Sequence, residues 1–137
     1  MMKKLLLPLF LLLMCLTACT AAQPADALEG SSWELVSLGD ELPLNGTTLT
    51  LSFKEGQAGG SSGCNTFSTE YTVKDGEIQF GEIAVTLMAC MNDGVMEQEQ
   101  AYLNFLQDVS GFSLEEGKLS LYRPDGSALT YMPGDPH

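Results

Sequence analysis

The chain has 137 residues, with 6 Lys and Arg against 18 Asp and Glu, a net charge of −12 and one histidine. That balance repels phosphate backbones and anionic headgroups, which excludes nucleic acid and argues that the folded part stands off a membrane surface. The histidine sits at position 137, the last residue, so no base is at hand for a Ser–His–Asp triad or a Cys–His nucleophile.

The first predicted element is a leader. Lys3 and Lys4 precede an almost wholly apolar run, Leu5 to Leu16, broken by Pro8. The run is shorter than the roughly 20 apolar residues of a spanning helix. A basic start, a short apolar core and small residues before a cut describe a secretory signal over residues 1–18. It ends in Leu16-Thr17-Ala18-Cys19, which resembles the lipobox of bacterial lipoprotein precursors. Cys15 is a poorer acceptor, because Met14 precedes it where a small residue is wanted. The resemblance implies cleavage before Cys19 and a diacylglyceryl thioether on its sulfur. Two or three acyl chains, at about 0.8 kcal/mol per buried methylene, hold firmly. The alternative is an ordinary signal peptide with an incidental Cys19. Thr20, not Asp, follows the cysteine. The expected location is therefore extracytoplasmic: the outer membrane of a Gram-negative cell, or the outer leaflet of the cell membrane of a Gram-positive one.

Residues 19–29 are small and polar and read as a flexible tether. The globular domain is expected over residues 30–133, about a hundred residues, enough for a core without metals or several disulfides. Trp33 to Leu38 reads as the first strand. Leu49, Leu51 and Phe53 alternate with polar neighbours, the period of a half-buried strand. Tyr71 and Val73, then Ile78 and Phe80, alternate around Asp75-Gly76, a strong hairpin signal. Ile83 to Leu87 is another expected strand. Val95 to Val109 lacks Gly and Pro, is rich in helix formers, and places Tyr102, Leu106 and Val109 on one face. Asn92 or Asp93 is the expected cap and Gly111 the terminator. Lys118–Tyr122 and Ser127–Tyr131 flank a Pro124-Asp125-Gly126 turn. The expected fold is mainly β with one helix: about eight short strands in an antiparallel sheet, curled into a partial barrel and packed against a single late helix.

With Cys19 committed to lipid, Cys64 and Cys90 remain. In an oxidising compartment they can form a bridge, adding roughly 3–4 kcal/mol, or pack as two buried thiols.

The surroundings of these cysteines carry a second resemblance. Gly63-Cys64-Asn65 follows a glycine-rich run, Thr86-Leu87-Met88-Ala89-Cys90 precedes the helix, Trp33-Glu34-Leu35 opens the domain, and Glu99 to Leu106 matches an E-x-x-[YF]-x-x-x-L helix. Together they resemble the META domain, the HslJ-like family of bacterial heat-shock proteins, from about Gly30 to Tyr131. The resemblance implies an antiparallel sheet curled against a helix and no established enzymatic activity. It also implies links to envelope stress, antibiotic tolerance or virulence, and a fold like that of secretin pilot lipoproteins. Trp33, Gly63, Cys64, Asn65, Thr86, Met88, Ala89 and Cys90 then form a structural motif. Gly59, Gly60 and Gly63 permit bends or close backbone approach. Asn65 suits a turn and tolerates positive φ. Thr86 and Met88 would share one face of a strand.

Other chemistries are weaker. Gly59 to Gly63 lacks the lysine of a phosphate loop and reads as a turn. Met88, Cys90, Met91 and Met96 could hold Cu(I) but read as gap-filling core. Glu97/Glu99 and Glu115/Glu116 read as solvated surface pairs. No catalytic residue, cofactor or metal is expected. The expected protein is a monomer, anchored to a membrane through Cys19, that acts by contact with an envelope protein or component. The alternative is a carrier of lipid or another apolar ligand, or a pilot-like assembly factor. An open apolar lumen would favour the carrier, a side-chain-filled interior the contact module.

Overall fold

The computed structural model describes residues 27–136. The leader, Cys19, most of the tether and His137 lie outside the described residues. Nine strands and one helix follow in order: β1 (Ser32–Leu38), β2 (Thr50–Lys54), β3 (Gln57–Ser61), β4 (Thr66–Lys74), β5 (Glu77–Phe80), β6 (Ala84–Val85), α1 (Val95–Gln107), β7 (Gly111–Glu115), β8 (Lys118–Tyr122) and β9 (Ala128–Pro133). Every pairing is antiparallel.

The expected partial barrel is a closed one. Eight strands form the ring β1-β2-β3-β4-β5-β7-β8-β9, and β6 adds to β4 alongside β5. Two local features let the sheet curl this far. β3 contains Gly59 and Gly60, where a Cβ would lie 2.6 Å from the Phe67 carbonyl oxygen and 2.3 Å from that of Thr50. Neighbouring backbone occupies the space a side chain would need. The β1–β9 register also shifts between Leu35 and Ser37, an irregularity of the kind that bends a strand. The weakest seam is β5–β7, joined by Glu77 against Gly111 and by the Ile78 N–H on the Ser110 carbonyl at 3.2 Å.

Alternation puts Trp33 and Leu35, Leu51 and Phe53, Phe67 and Tyr71, Leu119 and Leu121, and Leu129 and Tyr131 in one core. Tyr102 of α1 reaches into it. Its ring meets Phe67 of β4 edge-on at 5.8 Å, and its hydroxyl shares a 3.0 Å hydrogen bond with that of Tyr131 on β9. β4 and β9 stand opposite one another in the ring, so this side chain spans the interior. Burial pushes both phenols above their usual range, so both stay neutral hydrogen-bonding groups.

Strand direction assigns every connection to one end. The tight turns β2–β3, β4–β5 and β7–β8 share one end with the start of β1 and the finish of β9. At these turns Glu55-Gly56, Asp75-Gly76 and Glu116-Gly117 all have positive φ at both residues, the geometry of type I′ hairpins. Leu28 is fully buried here, so packing begins before Gly30, the boundary drawn from composition. Glu29 accepts from the Glu55 N–H at 2.6 Å and the Tyr71 hydroxyl at 3.1 Å. The first of these contacts does most to lower the Glu29 carboxyl below its ordinary value, against desolvation, which opposes it.

The β1–β2, β3–β4 and β8–β9 loops and the whole β5–β7 connection, α1 included, lie at the opposite end. Details of the helix differ from expectation. Its N-cap is Gly94, with φ +79° and no side-chain cap, rather than Asn92 or Asp93. It stops at Gln107, where the Asp108 N–H turns back to the Phe105 carbonyl; Gly111 instead opens β7. The expected strand at Ile83–Leu87 shrinks to Ala84–Val85: beyond it the Thr86 N–H makes a last bond to β4, at the Thr66 carbonyl (3.0 Å), and the Met88 backbone then bonds to the Asn65 side chain.

Candidate functional site

Cys64, in the β3–β4 loop, is bridged to Cys90, just before α1, with their Cα atoms 5.8 Å apart. Asn65 lies beside the bridge and is 3% exposed. Its Oδ1 accepts from the Met88 N–H at 2.6 Å and the Thr86 hydroxyl at 3.0 Å. Its Nδ2 donates to Glu99 Oε1 at 2.8 Å and to the Met88 carbonyl at 3.3 Å. A carboxylate only accepts and a backbone N–H only donates, so the amide has one workable orientation. The Thr86 hydroxyl also receives the Thr66 N–H at 3.1 Å. Asn65 and the disulfide thereby pin the extended segment from Thr86 to Cys90 to the barrel rim.

Glu99 anchors this network from the helix. It is 6% exposed, against the expectation of a solvated surface acid. Oε2 accepts from the Ser62 hydroxyl at 2.5 Å and from the Asn65 N–H at 2.8 Å. Burial pushes the carboxyl up. Donation from Ser62, the Asn65 amide and the Asn65 and Cys64 N–H groups outweighs it and holds the group below its ordinary value of 4.5. A carboxylate saturated with donors is a poor base toward a substrate; its role is to tie the β3–β4 loop to α1. The sequence signal for it is the i, i+3, i+7 spacing of Glu99, Tyr102 and Leu106, which places all three on the buried helix face.

Gly63 has φ +101°, and a Cβ there would meet Gln98 Nε2 at 3.3 Å and Leu49 Cδ1 at 3.5 Å. It fits the motif through conformation as well as space. Asn65 is not among the positive-φ residues, and its side chain bonds across to Glu99 and Met88 instead of closing its own turn. Thr86 contributes its hydroxyl and Met88 its backbone. The Met88 side chain is 58% exposed. Ala89 lines the groove described below. Trp33 makes none of these contacts; it lies on β1 and donates from Nε1 to the Ser31 hydroxyl at 2.7 Å. Gly59 and Gly60 belong to strand β3 rather than to a turn. Cys90 is oxidised, which removes the thiolate a soft-metal site would use. Met88, Met91 and Met96 are exposed instead of filling the core. Among the described residues no cluster of three His, Cys, Asp or Glu could hold a metal ion.

The pinned segment and α1 enclose an open groove of about 440 Å³. Asn65 and Glu99 lie at its base, with Val85, Leu87, Met96 and Leu103 along its sides. A second groove, of about 240 Å³, runs along the other flank of the helix between the β1–β2 loop and Gly94, Glu97 and Ala101. Leu42, Leu87 and Met91 project into solvent with 80%, 94% and 91% exposure.

Two solved structures resemble this architecture. One is an NMR structure of a protein from Burkholderia xenovorans, with a TM-score of 0.68 and 29% identity, covering 85% of this chain and 93% of that one. The second is another NMR structure, with a TM-score of 0.64 and 26% identity, covering 77% of this chain and 91% of that one. No curated protein matches. The sequence model of the META domain matches residues 26–136, from just before buried Leu28 to the end of the described fold. The closed barrel, the late helix and the bridged Gly-Cys-Asn corner thus fall within that match, and the chain belongs to the META domain family.

Proposed function

We propose that this protein is a lipid-anchored, extracytoplasmic META domain that acts without catalysis, by contact with a protein or other component of the cell envelope. The observation that carries this reading is the separation of the chain ends from the apolar surface. The fold is entered beside the tight hairpins, where Leu28 and Glu29 pack. Leu42, Leu44, Leu87, Met88, Met91 and Met96 are exposed around α1 at the far end of the barrel, whereas Met132 alone among the exposed methionines lies at the hairpin end. A protein held through Cys19 would present that far end away from its membrane. The lipobox-like Leu16-Thr17-Ala18-Cys19 supports the anchor, and the resemblance to the stress-linked HslJ-like proteins supports a role in envelope stress or antibiotic tolerance.

A filled interior supports contact over carriage. Tyr102 spans the barrel and Leu28 is buried at the hairpin end. Native mass spectrometry of protein extracted from membranes tests this. The contact reading expects the mass of the polypeptide with its covalent lipid alone. A stoichiometric noncovalent lipid would replace it with the carrier reading.

A further inference from the structure

We propose that the helix-covered end docks a basic amphipathic polypeptide segment, laid along the exposed N-terminal half of α1; this rests on the contact reading above and names the chemistry of the partner. Two observations on the same surface converge. The first is apolar: Leu42, Leu44, Leu87, Met88, Met91 and Met96 are all at least 40% exposed. Leu44 lies against Gly94 at the start of the helix, joining the Leu42 side of the surface to the methionine side. The two grooves flank the helix between them. Unbranched methionines adapt to a partner's shape, and grooves of this type accept the apolar stripe of a helix.

The second observation is charge. Asp40, Glu41, Asp93 and Glu97 are exposed around this surface. Among the described residues, Lys54, Lys74 and Lys118 all stand beside the hairpins of the other end. The one cation at the helix end, Arg123, is taken: it pairs with Asp108 at 3.3 Å and lies over the Phe105 ring at 4.1 Å. The surface therefore offers apolar contacts inside a rim of unneutralised carboxylates. A second copy of the chain would bring an identical acidic rim, and an anionic bilayer would be repelled likewise. A segment with Leu-type residues on one face and Lys or Arg on the other satisfies both features.

The test uses the full chain recovered from membranes in zwitterionic nanodiscs, with empty nanodiscs as reference. The probe is a fluorescent Leu/Lys peptide patterned as an amphipathic helix of about 18 residues, or five turns. Controls are a scrambled peptide of the same composition and a Leu/Glu peptide of the same pattern. Saturable binding is expected, weaker by about tenfold or more for both controls. Leu87→Ser and Met91→Ser should each weaken binding by about fivefold or more. Both side chains are solvent-exposed, and unchanged circular dichroism confirms that these variants fold. With methyl-labelled methionine, signals of Met88, Met91 and Met96 should shift while Met132, on β9 at the hairpin end, stays still. Equal binding of the scrambled peptide, shifts confined to Met132, no binding above empty discs, or self-association of the free protein abolished by Leu87→Ser would each overturn the proposal. Chain recovered without a membrane is assayed with the same peptides free in solution, so the binding readout does not depend on what residue 19 carries. An unacylated protein that binds the peptide removes the anchor alone, and an acylated protein that ignores it removes the docking site alone.

Discussion

Asn65 and Glu99 face each other at 2.8 Å, amide to carboxylate, across 34 residues of chain. One residue belongs to the β3–β4 loop and the other to α1, and the contact joins the barrel rim to the helix that covers it. Removing either partner leaves buried polar groups unmatched. Asn65→Ala should lower unfolding free energy by about 3 kcal/mol, and Glu99→Gln by about 1–3 kcal/mol, since the new amide turns a donor toward one of the existing donors. Urea titration should show lower midpoints at constant slope. The double variant should cost less than the two single changes added together.

The same carboxylate sets an acid limit. Its folded-state value lies below the ordinary 4.5, so the folded protein binds fewer protons than the unfolded chain near that pH. The stabilisation is complete above the unfolded value and is lost as pH falls through the folded one. Wild-type stability should therefore drop on acidification below pH 4.5, and Glu99→Gln should flatten that part of the profile. Parallel wild-type and variant profiles over this range would remove Glu99 as the source.

The Cys64–Cys90 bridge holds a segment that Asn65 also holds. Reduction, or the pair Cys64→Ala and Cys90→Ala, should lower Tm by about 10–20 °C, corresponding to about 2–4 kcal/mol, while the domain still folds. Thermal unfolding with and without reductant measures this. Protein isolated from cells should show no reactive thiol at either position under denaturing, non-reducing conditions.

Closure of the barrel depends on β3 remaining bare. A methyl at Gly60 would lie 2.3 Å from the Thr50 backbone oxygen, which cannot swing aside as a side chain could. Gly60→Ala should cost about 3 kcal/mol or more. Gly126→Ala, at φ +86° in open space, should cost about 1–2 kcal/mol from backbone strain alone. Denaturant unfolding of both variants compares a closed approach with a strained turn.

These residues also mark where the sequence is easy to read and where it is not. The alternation in β2, β4, β8 and β9 is local, and Asp75-Gly76 is an open hairpin signal. Glu55-Gly56 and Glu116-Gly117 build the same turn with a residue that seldom takes positive φ, so their hairpins carry no comparable signal. β3 carries none either, because Gln57-Ala58-Gly59-Gly60-Ser61 has the composition of a loop, and the neighbours that require its glycines, Thr50 and Phe67, come from other strands. Closure of the ring is a nonlocal pairing that no single segment announces. At the site, the Gly-Cys-Asn and Thr-x-Met-Ala-Cys motifs, legible as separate segments, meet at the bridged corner. Glu99 reads as a surface acid in the sequence because an acid on an amphipathic helix is ordinarily solvated. Its spacing with Tyr102 and Leu106 turns it inward, and the donors that Ser62 and Asn65 bring from another segment let it stay buried.

In the proposed arrangement Cys19 holds this barrel at a membrane and its other end makes the contacts. Intact mass and N-terminal fragmentation of the protein from membrane fractions test the anchor most directly. The expected product begins at Cys19 and carries a diacylglyceryl thioether. A retained leader, or an unmodified cysteine at position 19, would contradict it.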